Sequence, residues 1–155
     1  ASKDTVRIIT KSMTCLNKGA AEVIAGFDIS ACTDITGFGL LGHIAEMIEG
    51  DCCEVYLSSE SVPKTPEAYE YAAMGLVPTA AYNNWQFRAD MIQMPDSFDP
   101  ILRDILFDPQ TSGGLLFGCL EKDVPAILKR LTDNDLNSSA VIGYVKKSTQ
   151  SLIKL

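Results

Sequence analysis

The sequence predicts an α+β fold, in which a mixed β-sheet is flanked by helices. Three observations lead there. Apolar residues recur at helical spacing in several stretches, and elsewhere they form short unbroken runs of strand length. The two kinds of segment mix without the strict β–α–β alternation of a parallel doubly wound sheet. At 155 residues, 46% of them apolar and 21% charged, the chain has the size and composition of one domain with one hydrophobic core. No internal repeat or low-complexity linker divides it, so residues 1–155 read as a single domain.

Taken in order, Val6, Ile9 and Met13 recur at helical spacing and predict a first helix. A second helix runs from Lys18 to Ala25, with Asn17 as N-cap and Gly26 ending it. Asp28 to Thr33 is a short apolar link that reads as a strand. A helix follows to about Glu49, with Leu40, Leu41, Ile44, Met47 and Ile48 on its apolar face and His43, Glu46 and Glu49 opposite. Cys53 to Leu57 reads as a strand. Thr65-Pro66 offers a cap and a proline for a helix that runs to Met74 and stops at Gly75. Leu76 to Trp85, with Pro78 and Asn83-Asn84, reads as loop, and a short strand is expected within Phe87–Met94.

Asp99-Pro100 repeats the cap-and-proline signal for a helix through Leu106. Asp108 to Gly114 is rich in turn formers and reads as a loop. Leu115 to Leu120 is nearly unbroken in its apolar character, which predicts a strand buried on both faces. Val124, Ile127, Leu128 and Leu131 mark an amphipathic helix. Ala140–Val145 and Leu152–Leu155 read as strands, with a turn over Lys146–Gln150.

Composition excludes several classes of function. Thirteen Lys and Arg stand against twenty Asp and Glu, a net charge of −7, and no basic run is longer than Lys146-Lys147. A nucleic-acid surface needs a basic stripe, so nucleic acid is not an expected partner. No window reaches the ~18 apolar residues of a membrane span, so no membrane is expected either. Five cysteines, with no secretory signal and with Cys52 adjacent to Cys53, fit neither zinc spacing nor a disulfide framework. They read as reduced, small, buried residues of a cytoplasmic protein. The chain begins at Ala1 without methionine and reads as a fragment or a processed product.

Two segments differ from ordinary scaffold. In Asp34-Ile35-Thr36-Gly37-Phe38-Gly39, a carboxylate, a hydroxyl and two glycines stand just before a helix. Two readings are open. Asp34 or Thr36 caps the helix and the glycines serve the turn. Alternatively, the helix N-terminus and the glycine backbone receive phosphate while Asp34 holds Mg²⁺. The spacing is neither the dinucleotide-binding G-x-G-x-x-G nor a P-loop. In the second segment, Thr111-Ser112-Gly113-Gly114 could form an anion-binding nest of N–H groups, or simply a tight loop before a buried strand.

Together the segments resemble the selenide, water dikinase family. Asp34-Ile35-Thr36-Gly37-Phe38-Gly39-Leu40-Leu41-Gly42-His43 is similar to one signature of that family, and Leu106 to Leu116 to a second. Weaker echoes lie at Met13 with Leu16-Asn17 and Ala20-Ala21, at Gly75-Leu76-Val77-Pro78 with Asn84, and at Ile142-Gly143 with Val145. One departure is Thr79-Ala80, where the family has Gly-Gly after Val-Pro.

The resemblance implies the C-terminal domain of the aminoimidazole ribonucleotide synthetase type, partly ferredoxin-like. It implies an ATP-dependent phosphotransferase that makes selenophosphate from selenide, ATP and water, with AMP and phosphate as products. An N-terminal domain with the ATP site and the catalytic Cys or Sec is expected as partner, and the full-length enzyme as a homodimer. Asp34 is the implied metal residue, for Mg²⁺. Thr36, Gly37, Gly39, Asp108, Thr111 and Ser112 are the implied contributors to ATP binding. No residue of this chain is assigned a catalytic role. Cys15 and Cys32 match no nucleophile segment, His43 is expected on the helix surface beside Glu46, and Trp85 and the tyrosines are expected to pack. The fragment alone is expected to be inactive. The alternatives are another enzyme of the same superfamily, such as a purine synthetase, thiamine monophosphate kinase or the hydrogenase maturation dehydratase, or a non-catalytic binding or assembly module.

Overall fold

The computed structural model describes residues 1–155. Seven α-helices and six strands follow in the order α1 (Lys3–Thr14), α2 (Lys18–Ile24), β1 (Ile29–Asp34), α3 (Gly39–Ile48), β2 (Cys53–Leu57), α4 (Ala68–Ala73), α5 (Thr79–Arg88), β3 (Ile92–Gln93), α6 (Pro100–Leu106), β4 (Leu115–Cys119), α7 (Val124–Asp133), β5 (Gly143–Lys147) and β6 (Leu152–Lys154). The α+β class is as expected. The single sheet is in fact two. Strands in the order β3-β6-β2-β5 make a four-stranded mixed sheet, and β1 and β4 make a separate antiparallel pair. In the larger sheet β2 runs antiparallel to β5 and parallel to β6, with Val55 opposite both Val145 and Ile153.

Each sheet has its own apolar cluster, which is why there are two. Leu41, Ile44, Ala45 and Ile48 recur every three to four residues along α3, and their side chains are buried against Val55 and Leu57 of β2 and Ile153 of β6. Ala81 of α5, with Leu106 and Phe107 at the end of α6, closes that core. Val23 and Ile24 of α2 meet Ile127 and Leu131 of α7 in a second cluster, against which Leu115 and Phe117 of the small sheet pack. Local signals place several ends. Ser2 caps α1 through a bond from the Thr5 N–H (3.1 Å), and Asp99 caps α6 through one from the Ile101 N–H (2.9 Å).

Several sequence expectations are corrected. Leu76–Trp85 is not loop throughout, because α5 starts at Thr79 directly after Pro78. Only Ala81 and Asn84 of α5 are buried, so it lacks an apolar stripe that could announce it. The strand expected within Phe87–Met94 is only Ile92–Gln93, since Phe87 and Arg88 belong to α5. The Thr65-Pro66 cap goes unused. Helix α4 starts at Ala68, after Glu67 adopts φ +66° with its carboxylate accepting from Tyr71 Oη (2.9 Å).

Strand β5 starts three residues late, at Gly143, which pairs with Leu57 at the end of β2, and the pairs of Glu54 with Lys146 and Cys53 with Lys147 carry it past Val145. Strand β4 is half-buried along its length rather than buried on both faces, because β1 is its one neighbour. The cysteines are unpaired, but Cys15, Cys32 and Cys52 are exposed and only Cys53 and Cys119 half-buried. Cys15 follows the end of α1, Cys32 lies at an exposed position of β1, and Cys52 lies in the turn before β2. No helix is long and apolar enough to cross a membrane.

Candidate functional site

The site begins with the small sheet. Asp34 ends β1 opposite Leu115, which starts β4, so the loops after β1 and before β4 leave the sheet side by side. Backbone hydrogen bonds then zip them together. Ile35 N–H donates to Gly114 O (3.0 Å), Gly113 N–H to Ile35 O (2.9 Å), and Gln110 N–H to Thr36 O (3.0 Å). Asn17, at the start of α2, adds a bond from Nδ2 to Gly113 O (3.2 Å).

The approach is close enough to require glycine. A Cβ at Gly113 would stand 2.4 Å from Ile35 O, and one at Gly39 would stand 2.6 Å from the Phe107 carbonyl carbon. Gly39 also has φ +70°, a backbone region that side chains disfavour. The two glycine-containing segments are therefore one structural unit, a double loop at the N-terminal end of α3.

That unit presents the expected residues as follows. Asp34, Gly37 and Thr111 are exposed, Thr36, Asp108 and Ser112 are half-buried, and Gly39 is buried. Burial raises the Asp108 carboxyl above the ordinary range. No side chain caps α3, so neither Asp34 nor Thr36 serves as its cap. The local arrangement is an exposed carboxylate beside hydroxyls and an uncapped helix N-terminus, which suits a metal–phosphate group. It is not a complete metal centre, because nowhere in the chain do three or more His, Cys, Asp or Glu side chains converge. A hard cation here would take one or two carboxylates from this rim and the rest of its oxygens from phosphate, water or another domain.

Two residues hold the rim from behind. His43 is buried, not on the surface, and its Nε2 accepts from the Thr36 N–H (3.0 Å), with Thr36 Oγ1 at 3.1 Å. A ring nitrogen that accepts a backbone N–H carries no proton, so the proton sits on Nδ1. Glu46 Oε2 lies 2.9 Å from Nδ1 but off the N–H direction, which leaves Nδ1 without a hydrogen bond. Asn84 of α5 donates from Nδ2 to Gly37 O (2.8 Å) and to Phe107 O (3.1 Å). Sequence reasoning did not give Asn84 a role, because Asn83-Asn84 read as a turn. Its three-residue spacing from Ala81 puts it on the buried side of α5. Two surface hollows, beside Tyr56, Tyr144 and Lys154 and beside Trp85, Phe98 and Arg103, are lined by none of the rim residues.

Comparison with known proteins agrees with this architecture. Residues 10–154 match the family model described as "AIR synthase related protein, C-terminal domain". A selenide, water dikinase of Pelobacter propionicus is 43% identical over 145 residues, which cover 94% of this chain and 42% of that protein. One from Clostridium botulinum (strain Eklund 17B) is 39% identical over 143 residues, covering 92% and 41%. Selenide, water dikinase 2 of Peptoclostridium acidaminophilum is 39% identical over 152 residues, covering 97% and 44%. The chain thus spans 41–44% of the length of these relatives. With a match over nearly its whole length, this chain belongs to the family of AIR synthase related proteins, as their C-terminal domain.

Proposed function

We propose that this chain is the C-terminal domain of a selenide, water dikinase, in which the double loop forms one rim of the ATP site. The full-length enzyme converts ATP, selenide and water into selenophosphate, AMP and phosphate. An N-terminal domain supplies the catalytic Cys or Sec and most of the nucleotide site, and two full-length chains form a homodimer in the cytoplasm. One observation carries this reading: the two motif segments are zipped into a single rim that leaves Asp34 exposed.

Asp34 is the residue of this chain that would hold Mg²⁺, and an exposed carboxylate without a capping duty fits that role. Mg²⁺, when bound, neutralises charge on the transferring phosphates. Gly37, Thr111 and Ser112 are proposed to offer hydroxyls and backbone N–H groups to the phosphates, and Thr36, whose N–H and hydroxyl both face His43, is proposed to shape the loop that presents them. Gly39 contributes through close packing, and Asp108 as a desolvated carboxylate that a cation would stabilise.

The test is Asp34→Ala in the full-length protein, assayed for selenophosphate and AMP. Turnover is expected to fall by about 100-fold or more while the circular dichroism spectrum is unchanged. Wild-type turnover in the variant at saturating Mg²⁺ would remove the metal role of Asp34.

A further inference from the structure

We propose that Asn84 and His43 are positioning residues that set the geometry of the rim without touching substrate. The inference rests on the dikinase reading for its kinetic test and on hydrogen-bond geometry for its argument.

The segment from Thr36 to Gly37 is held at both of its ends. His43 Nε2 accepts the Thr36 N–H, and the Asn84 amide donates to Gly37 O. The same amide reaches Phe107 O, the residue before Asp108, so one side chain spans both loops. Of the two ends of the Asn84 amide only the NH₂ group can donate to two carbonyl oxygens, which fixes its orientation and admits no acceptor in its place. Both residues are buried, His43 at 6% and Asn84 at 9% exposure, so neither is available to a ligand in its own right. Asn84 comes from α5 and His43 from α3, and α5 and α6 pack in the core that Phe107 closes. The rim is therefore braced from the hydrophobic core, which is a rigid support for groups that must meet phosphate with ångström accuracy.

The experiment uses the full-length protein with the substitutions Asn84→Asp, His43→Leu and His43→Gln. Aspartate keeps the shape of asparagine but sets a carboxylate against two carbonyl oxygens. Glutamine can place an acceptor oxygen where Nε2 stood, and leucine cannot. Asn84→Asp and His43→Leu are expected to lower kcat by about 100-fold, with KM for ATP moving less than about threefold. His43→Gln is expected to recover most of kcat.

Loss of activity only in proportion to the unfolded fraction, or a His43→Gln variant no better than His43→Leu, would overturn the proposal. Where Asn84→Asp fails to fold, the His43 pair decides the matter alone. If the wild-type protein makes no selenophosphate, the dikinase reading fails, and the bracing is decided by hydrogen–deuterium exchange. Faster exchange over residues 35–38 in His43→Leu, with α3 still protected, supports it, and unchanged exchange there refutes it.

Discussion

At the scale of single residues, the site depends on how closely two backbones approach. Gly39 adopts φ +70° with the Phe107 backbone 2.6 Å from where a Cβ would stand, whereas Gly37 has no atom within 4 Å of its own. Gly39→Ala is therefore expected to destabilise the chain by about 2–4 kcal/mol, from the left-handed backbone plus displacement of the facing loop. Gly37→Ala, exposed and unobstructed, is expected to stay within about 0.5 kcal/mol. Urea unfolding midpoints of the two variants check the contrast, and equal midpoints would mean that the loops are not in contact as described.

The importance of these glycines was visible in the sequence as a glycine-containing segment before a helix. Which of them is obligatory was not, because the obstructing atom belongs to a residue far along the chain. The burial of His43 was equally hidden. Placed opposite the apolar stripe of α3, it reads as a surface residue until the loop around Thr36 is folded over it.

At the scale of elements, local chemistry decided what was legible. Helix α6 could be placed to the residue because Asp99 and Pro100 mark its start, and Asp99 does cap it. Helix α7 was legible because Ile127 and Leu131, one turn apart, are the residues it buries. Helix α5 was missed because its few buried positions include a polar one, Asn84, whose partners come from other elements.

The four-stranded sheet carries a cluster that only strand pairing could assemble. Glu54 of β2 accepts hydrogen bonds from Lys154 Nζ (2.8 Å), Tyr56 Oη (2.8 Å) and Ser148 Oγ (3.0 Å). The Lys154 bond foremost, then those from Tyr56 and Ser148, hold its carboxyl down to about 2 from the ordinary 4.5. With the folded value below the unfolded one, the unfolded chain binds more protons in between. The stabilisation is complete above about 4.5 and is lost as pH falls through about 2. Glu54→Gln is expected to lower the thermal midpoint at neutral pH, with the gap to wild type closing across that window. A gap independent of pH would show that the carboxylate charge is not what stabilises the strands.

At the scale of the whole molecule, the chain leaves large apolar side chains uncovered. Val6, Ile8, Met13 and Leu16 in and after α1 are 44–77% exposed, and Phe87 at the end of α5 is 65% exposed. The site is as open as the surface, since it consists of a rim with one exposed carboxylate and no converging metal ligands. Catalysis of phosphoryl transfer needs charges on several sides of the phosphates. The isolated chain is accordingly expected to form no AMP from ATP in the presence of selenide and Mg²⁺. AMP production by the purified chain above the heat-inactivated control would show that the rim is a complete active site.

The sequence by itself determined the α+β class, most of the helices and strands, and the two motif segments, because caps, prolines and apolar periods act within a few residues of one another. Only the tertiary structure decided that the strands divide into two sheets, that the motif segments close into one rim, and that His43 and Asn84 stand behind it. These depend on strand register and on bonds such as those of Asn84 to Gly37 and of Asn17 to Gly113, which join residues 47 and 96 positions apart. Contacts of that range form only once the core has packed, so no local pattern records them.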